Sequence, residues 1–151
     1  MKYIAYGSNM SVEQMRYRCP DAKLIGIGRI EGAQLEFYLH ATVEKTEDNH
    51  DYVPVAIWEI NDADERRLDR YEGYPDYYTK AIWPVWLNDG SLIDGMIYLM
   101  RYKRAAPPVT NYYFGIKNAY VDLGLRAEIK RILEPAFQRS FRASGPMAEA
   151  K

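Results

Sequence analysis

Tyr3-Ile4-Ala5-Tyr6-Gly7-Ser8-Asn9-Met10 reads as a short apolar strand that breaks abruptly into Gly-Ser-Asn. A helix signal follows at once. Ser11 is placed to cap it, Gln14 sits at the capping-box position, and Pro20 stops it. Main-chain N–H groups at such a break, beside a helix start, form a pocket for a carboxylate or a developing oxyanion. A pocket of that kind needs an acid or base to do chemistry. The candidate is Glu72, in Leu68-Asp69-Arg70-Tyr71-Glu72-Gly73-Tyr74-Pro75.

Glu72 falls four residues after Leu68 and seven after Glu65, so the three share a helical face. Leu68 should turn toward the core and carry Glu72 inward with it. Glu72 also occupies the last helical turn, where the macrodipole disfavours negative charge. Burial and the dipole both raise a carboxyl pKa, which is what a general acid/base needs near neutral pH. The bland alternative is a solvated glutamate at a fraying helix end, and the residues alone weigh the two equally.

The chain has 151 residues, which fits one domain with its own core. The expected domain spans residues 1–142, and 143–151 read as a frayed tail. A formal charge of −1, from 20 basic and 21 acidic residues, argues against nucleic acid or an anionic membrane as partner. The single cysteine, Cys19, excludes an internal disulfide and reads as a cytoplasmic chain. The first residues form a strand rather than a secretory leader, and no apolar run is long enough to span a bilayer. Fourteen tyrosines stand out. Tyrosine joins apolar bulk to a hydroxyl, which suits the wall of a polar-ligand pocket or the interface of a homodimer.

Along the chain, residues 22–30 form a strand whose glycines imply a bulge or bend. Residues 35–40 continue as strand, 42–52 read as an exposed loop, and 53–60 as a strong strand. Asp62 caps a helix to Glu72, with Glu65 at the capping-box position and Gly73 ending it in a left-handed conformation. Residues 77–87 and 92–99 are strands joined by the hairpin signal Asn88-Asp89-Gly90. Thr110 caps a helix ended by Gly124. Another runs over 126–133, where Pro135 ends or kinks it. Strands first and helices last make an α+β pattern.

Four motifs in register carry a resemblance: Tyr6-Gly7-Ser8-Asn9 near the start, Glu72-Gly73 at the end of a mid-chain helix, Tyr98-Leu99-Met100, and Ala106-Pro107-Pro108. Their order and spacing, from about residue 2 to 125, resemble the γ-glutamylcyclotransferase family; residues 134–151 carry no resemblance. The resemblance implies a small, mixed, partly closed β-barrel flanked by short helices, with a helical C-terminal third. It implies release of 5-oxoproline from a small-molecule γ-glutamyl substrate, with no cofactor. It makes Glu72 the acid/base and gives Tyr3, Ile4, Ala5, Tyr6, Gly7, Ser8 and Asn9 to the γ-glutamyl group. Tyr98 and Tyr112 become substrate contacts; Tyr113 is adjacent, so that position can slip by one.

Other patterns carry less. Gly26-Ile27-Gly28-Arg29-Ile30-Glu31-Gly32 is one residue too long for a dinucleotide fingerprint and lies inside a strand. Ser8 lacks the flanking glycines of a nucleophile elbow. His40 and His50 have no metal-ligand spacing. Three other readings stay open. One is the same chemistry on a γ-glutamylamine or a carrier-bound γ-glutamyl intermediate. Another is a non-catalytic γ-glutamyl-binding module, against which Glu72 counts. The third is a serine amidohydrolase using Ser8 with His40.

Overall fold

Every residue from Val53 to Trp58 in β5 (Tyr52–Glu59) is buried, so this strand has both faces covered and takes a central place. It pairs antiparallel with β1 (Lys2–Ala5) on one side and β2 (Lys23–Glu31) on the other. Beyond β2 come β6 (Tyr78–Leu87) and β7 (Leu92–Met100), which form an antiparallel hairpin. The order β1-β5-β2-β6-β7 closes into a barrel where Tyr3 pairs in parallel with Met96 of β7. At that seam Gly95 leaves room for Ile4, whose side chain lies 2.7 Å from where a Cβ would stand. This computed structural model describes residues 1–143. The expected tail lies outside these residues, apart from Ala143 at the end of the last helix.

A separate hairpin of β3 (Ala33–Tyr38) and β4 (His40–Lys45) turns at Leu39, whose φ is +66°. Residues 42–45 therefore belong to a strand, not to the exposed loop read from their polarity. Thr42 is buried because its hydroxyl accepts the Met100 N–H at 3.1 Å, and Val43 packs into the core. The connecting loop is confined to residues 46–51.

The first helix, α1 (Val12–Arg18), is capped by Ser11, which accepts the Gln14 N–H. The second, α2 (Asp62–Glu72), is capped one residue earlier than its sequence implied. Asn61 accepts the Asp64 N–H, and the Asp64 carboxylate returns to the Asn61 N–H, a capping box in which Glu65 has no part. Gly73 ends α2 at φ +65°. The chain finishes with α3 (Thr110–Asp122), α4 (Arg126–Glu128), a π turn (Ile129–Leu133) and α5 (Glu134–Ala143). Across the π turn, the Glu134 N–H reaches back five residues to Ile129. The helical path runs on through Pro135, which has no N–H to contribute, instead of ending there. Among the described residues no helix is long and apolar enough to cross a membrane.

Strand β2 bulges between Leu24 and Gly26 and crosses β6 tightly at Gly28, opposite Leu87. A Cβ on Gly28 would lie 2.2 Å from the Trp86 carbonyl oxygen, whereas one on Gly26 meets nothing within 4 Å. Gly28→Ala should therefore cost about 2–3 kcal/mol or more, read by urea denaturation, while Gly26→Ala should leave stability within about 0.5 kcal/mol of wild type. Equal effects at the two glycines would contradict this packing.

Candidate active site

The α2 helix presents Glu72 because its other faces are tied down. Leu68 and Asp64 are fully buried. Asp64 also pairs with Arg67 at 3.1 Å. Lys80 of β6 reaches Glu65 at 2.8 Å and Asp69 at 3.0 Å. Asp69 accepts the Tyr98 hydroxyl of β7 at 2.6 Å. Fixed on that side, α2 delivers its last residue over the end of the barrel. Gly73 turns the chain away, its N–H bonding to the Arg70 carbonyl and that of Tyr74 to the Asp69 carbonyl.

Below lies the break after β1. Gly7 has φ −123° and ψ −130°, and residues Ser8–Met10 make one 3₁₀ turn. That turn closes through its carbonyls, with Met10 N–H on Gly7 O and Ser11 N–H on Ser8 O. Among the described residues, the N–H groups of Gly7, Ser8 and Asn9 donate to no protein acceptor, as expected for the first residues of a helical turn. Side chains fix the turn. Asn9 donates to the Tyr3 hydroxyl at 2.9 Å and accepts from Arg18, while its carbonyl accepts the Trp58 indole N–H at 3.0 Å.

A cavity of about 320 Å³ lies between this turn and Glu72. Of the residues singled out from the sequence, Glu72, Tyr3, Ile4, Tyr6, Gly7, Ser8, Asn9, Tyr98 and Tyr112 line it. Ala5 does not: it is buried in the core, paired with Ala56 of β5. Tyr112 is on the wall, whereas Tyr113 turns away and stacks on Phe137 at 4.1 Å. Seven of the fourteen tyrosines line the cavity, Tyr71, Tyr77 and Tyr78 being the ones the motifs did not mark. Tyr77 and Tyr78 follow Glu72-Gly73 closely, and that short spacing was the available signal. His40, Ala41, Arg70 and Gly73 complete the lining. The turn at Leu39 brings His40 there, and nothing local in its sequence announces it.

Nearly every hydroxyl on this wall is already engaged. Tyr6 donates to the Tyr98 carbonyl, Tyr78 to the Ala41 carbonyl, and Tyr98 to Asp69, each at 2.6 Å. Tyr112 accepts the Ala41 N–H at 3.0 Å, and Tyr3 accepts from Asn9, so both keep a proton to donate into the cavity. Ser8 Oγ meets the Tyr71 hydroxyl and Arg18, each at 3.2 Å. His40 Nδ1 instead meets the Tyr77 hydroxyl at 2.9 Å. Ser8 and His40 are therefore engaged elsewhere and form no nucleophile–base pair, which weighs against the serine amidohydrolase reading.

Glu72 is half-buried and, among the described residues, forms no hydrogen bond or ion pair. Burial among aromatic rings pushes its carboxyl up to about 7, opposed by the positive charge of Arg18. Burial also holds Tyr3, Tyr6, Tyr78 and Tyr112 above the ordinary phenol range and lowers the His40 imidazole. At neutral pH Glu72 is thus the group on this wall poised to exchange a proton. The folded chain holds that proton to pH about 7; an unperturbed glutamate releases it near 4.5. Stability is therefore lost as pH rises through that window. Glu72→Gln should match wild type near pH 4 and exceed it by about 1–3 kcal/mol above pH 8, read by urea melts. A difference that does not vary with pH would contradict the buried, unpartnered carboxyl.

A family model described as gamma-glutamyl cyclotransferase, AIG2-like, matches residues 3–114. The chain is similar to gamma-glutamylcyclotransferase of Homo sapiens, 27% identical over 121 residues that cover 73% of this chain and 64% of the human protein. It is similar to gamma-glutamylcyclotransferase of Bos taurus, 26% identical over 142 residues, 87% of this chain and 76% of the bovine one. The match thus spans a little under two thirds of the human relative's length. A solved structure of a gamma-glutamyl cyclotransferase aligns with a TM-score of 0.79 and 26% identity, covering 89% of this chain and 86% of that one. With the family's pattern matched from β1 to the start of α3, the chain belongs to the gamma-glutamyl cyclotransferase, AIG2-like family.

Proposed function

We propose that this protein removes a γ-glutamyl group from a small molecule by intramolecular cyclisation, releasing 5-oxoproline and an amine or amino acid. The observation that carries the reading is that Glu72 lines one cavity with Gly7, Ser8 and Asn9, and that among the described residues neither its carboxyl nor their N–H groups have a hydrogen-bond partner.

The substrate's α-amino group attacks its own side-chain carbonyl. An α-amine with a pKa near 8 is largely ammonium at neutral pH. Ionised Glu72 accepts one of its protons and frees the lone pair. A new C–N bond then closes the five-membered lactam through a tetrahedral intermediate. Glu72 returns that proton to the departing nitrogen as the original amide C–N bond breaks, and the second proton shed by the ring nitrogen passes through the same carboxylate to the released amine, which leaves as ammonium. The carboxyl ends as it began, and neither water nor a cofactor is consumed. One group serves as base and then acid because its pKa lies near the operating pH.

The remaining groups position and stabilise. The Gly7–Asn9 N–H groups face the carbonyl oxygen or the α-carboxylate, both acceptors of main-chain donors. Tyr112 and Tyr3 add their remaining protons, and Ile4, Tyr6 and Tyr98 shape the wall. Nucleophile and electrophile belong to one molecule, so folding the substrate into a near-attack shape supplies much of the acceleration; well-oriented intramolecular reactions gain about 7–11 kcal/mol this way.

Glu72→Gln should retain the fold and lower turnover of γ-glutamyl dipeptides by roughly 10²–10⁴-fold, scored by 5-oxoproline release; normal turnover would refute the assignment. In wild type, kcat/KM should rise with pH through a midpoint of about 7 as Glu72 ionises, and the midpoint should vanish in Glu72→Gln. Ser8→Ala should slow the reaction without abolishing it, since its hydroxyl only braces the turn. Free glutamate as product, with a trapped acyl-enzyme, would overturn cyclisation in favour of hydrolysis.

A further inference from the structure

Arg18 closes α1 and, among the described residues, forms no ion pair. It is half-buried and is not part of the cavity lining. Yet its guanidinium makes three attachments. Nη1 donates to Ser8 Oγ at 3.2 Å and also to Asn9 Oδ1. The guanidinium carbon lies 3.6 Å from the centroid of the Tyr71 ring. The Tyr71 hydroxyl returns to Ser8 Oγ at 3.2 Å, so Arg18, Ser8 and Tyr71 form a closed triangle. Ser8 and Asn9 belong to the donor turn; Tyr71 immediately precedes Glu72.

We propose that Arg18 is a positioning residue that locks the donor turn onto the last turn of α2 and thereby sets where Glu72 stands relative to the Gly7–Asn9 N–H groups. The proposal rests on the cyclisation reading for its meaning in catalysis, but the geometric claim stands by itself. Only a planar fork can stack on a ring and donate within its own plane at once; lysine offers the charge without that geometry. The charge has a second effect. Around Glu72 stand Tyr3 and Tyr6 from the first strand and its break, Tyr77 just before β6, Tyr78 in β6, Tyr98 from β7 and Tyr112 from α3. All six phenols are raised by burial and stay neutral at physiological pH. His40 from β4 is lowered, and on α2 itself lie Tyr71 and the exposed Arg70. Arg18, from α1, is the cation that draws Glu72 back down toward its ionised form.

The test compares wild type with Arg18→Gln and Arg18→Lys, by NMR titration of the ¹³C-labelled glutamate carboxyls (Glu72 assigned with Glu72→Gln) and of the Gly7–Asn9 amide signals, without substrate. In Arg18→Gln the Glu72 midpoint should move up, the turn signals should shift or broaden, and kcat/KM at pH 7 should fall roughly tenfold. Arg18→Lys should bring the Glu72 midpoint back toward wild type but restore neither the turn signals nor the full rate. A Glu72 midpoint and turn signals unchanged in Arg18→Gln, or complete restoration of all three readouts by lysine, would overturn the proposal. If Arg18→Gln does not fold, Tyr71→Leu removes the platform instead and should disturb the turn signals in the same way; undisturbed signals there also overturn it. Failure of the cyclisation reading is seen separately, as full activity in Glu72→Gln, and leaves the substrate-free titration to decide on Arg18.

Discussion

The Asp69 carboxylate receives the Tyr98 hydroxyl at 2.6 Å and Lys80 at 3.0 Å, and these contacts clamp the C-terminal half of α2 onto β6 and β7. Much else follows from that clamp. Glu72 sits three residues further on, at the negative end of the helix dipole, among rings, and without a hydrogen-bond or ion-pair partner among the described residues. Left to itself, such a carboxyl would swing into water, because removing a charge from water uncompensated costs several kcal/mol. The buried Leu68, the Asn61–Asp64 capping box and the Lys80 bridge hold the helix where that relaxation is denied. The upstream turns of α2 thus hold in place a carboxyl whose pKa burial has raised.

The tyrosines extend the same logic to the cavity wall. A flexible polar wall would solvate Glu72 and erase its raised pKa. Here hydroxyls are tied to carbonyls, to Asp69 or to one another, so the wall cannot reorganise around the carboxylate as water would. Tyr112 and Tyr3, which accept a bond and retain a proton, face inward as fixed donors. A preorganised polar site of this kind needs little rearrangement when charge moves during a reaction.

The sequence disclosed the parts of this arrangement that depend on local rules. A helix ended by Gly73 follows from left-handed capping, and the hairpin at Asn88-Asp89-Gly90 follows from turn chemistry. The break at Gly7 followed from the abrupt end of the apolar run, whereas spacing alone left an inward Glu72 level with a solvated one at a fraying helix end. What stayed hidden depends on tertiary contact. Thr42 looks like loop by polarity, but a single bond to the Met100 N–H makes it a buried strand residue. Asn61 outcompeted Asp62 as the cap because Asp64 could return the bond. His40 reaches the cavity only through the left-handed turn at Leu39, and Arg18 only through the side chains of Ser8, Asn9 and Tyr71.

The central claim is that one acidic side chain and one cradle of main-chain donors grip opposite ends of the same γ-glutamyl group. The most direct measurement is a crystal structure with a γ-glutamyl analogue whose side-chain amide is replaced by an uncleavable ketone. The account places its α-nitrogen within hydrogen-bonding distance of the Glu72 carboxyl, and its carbonyl or carboxylate oxygen on the N–H groups of Gly7, Ser8 or Asn9. An analogue bound elsewhere, or Glu72 rotated into bulk solvent with the analogue in place, would contradict it.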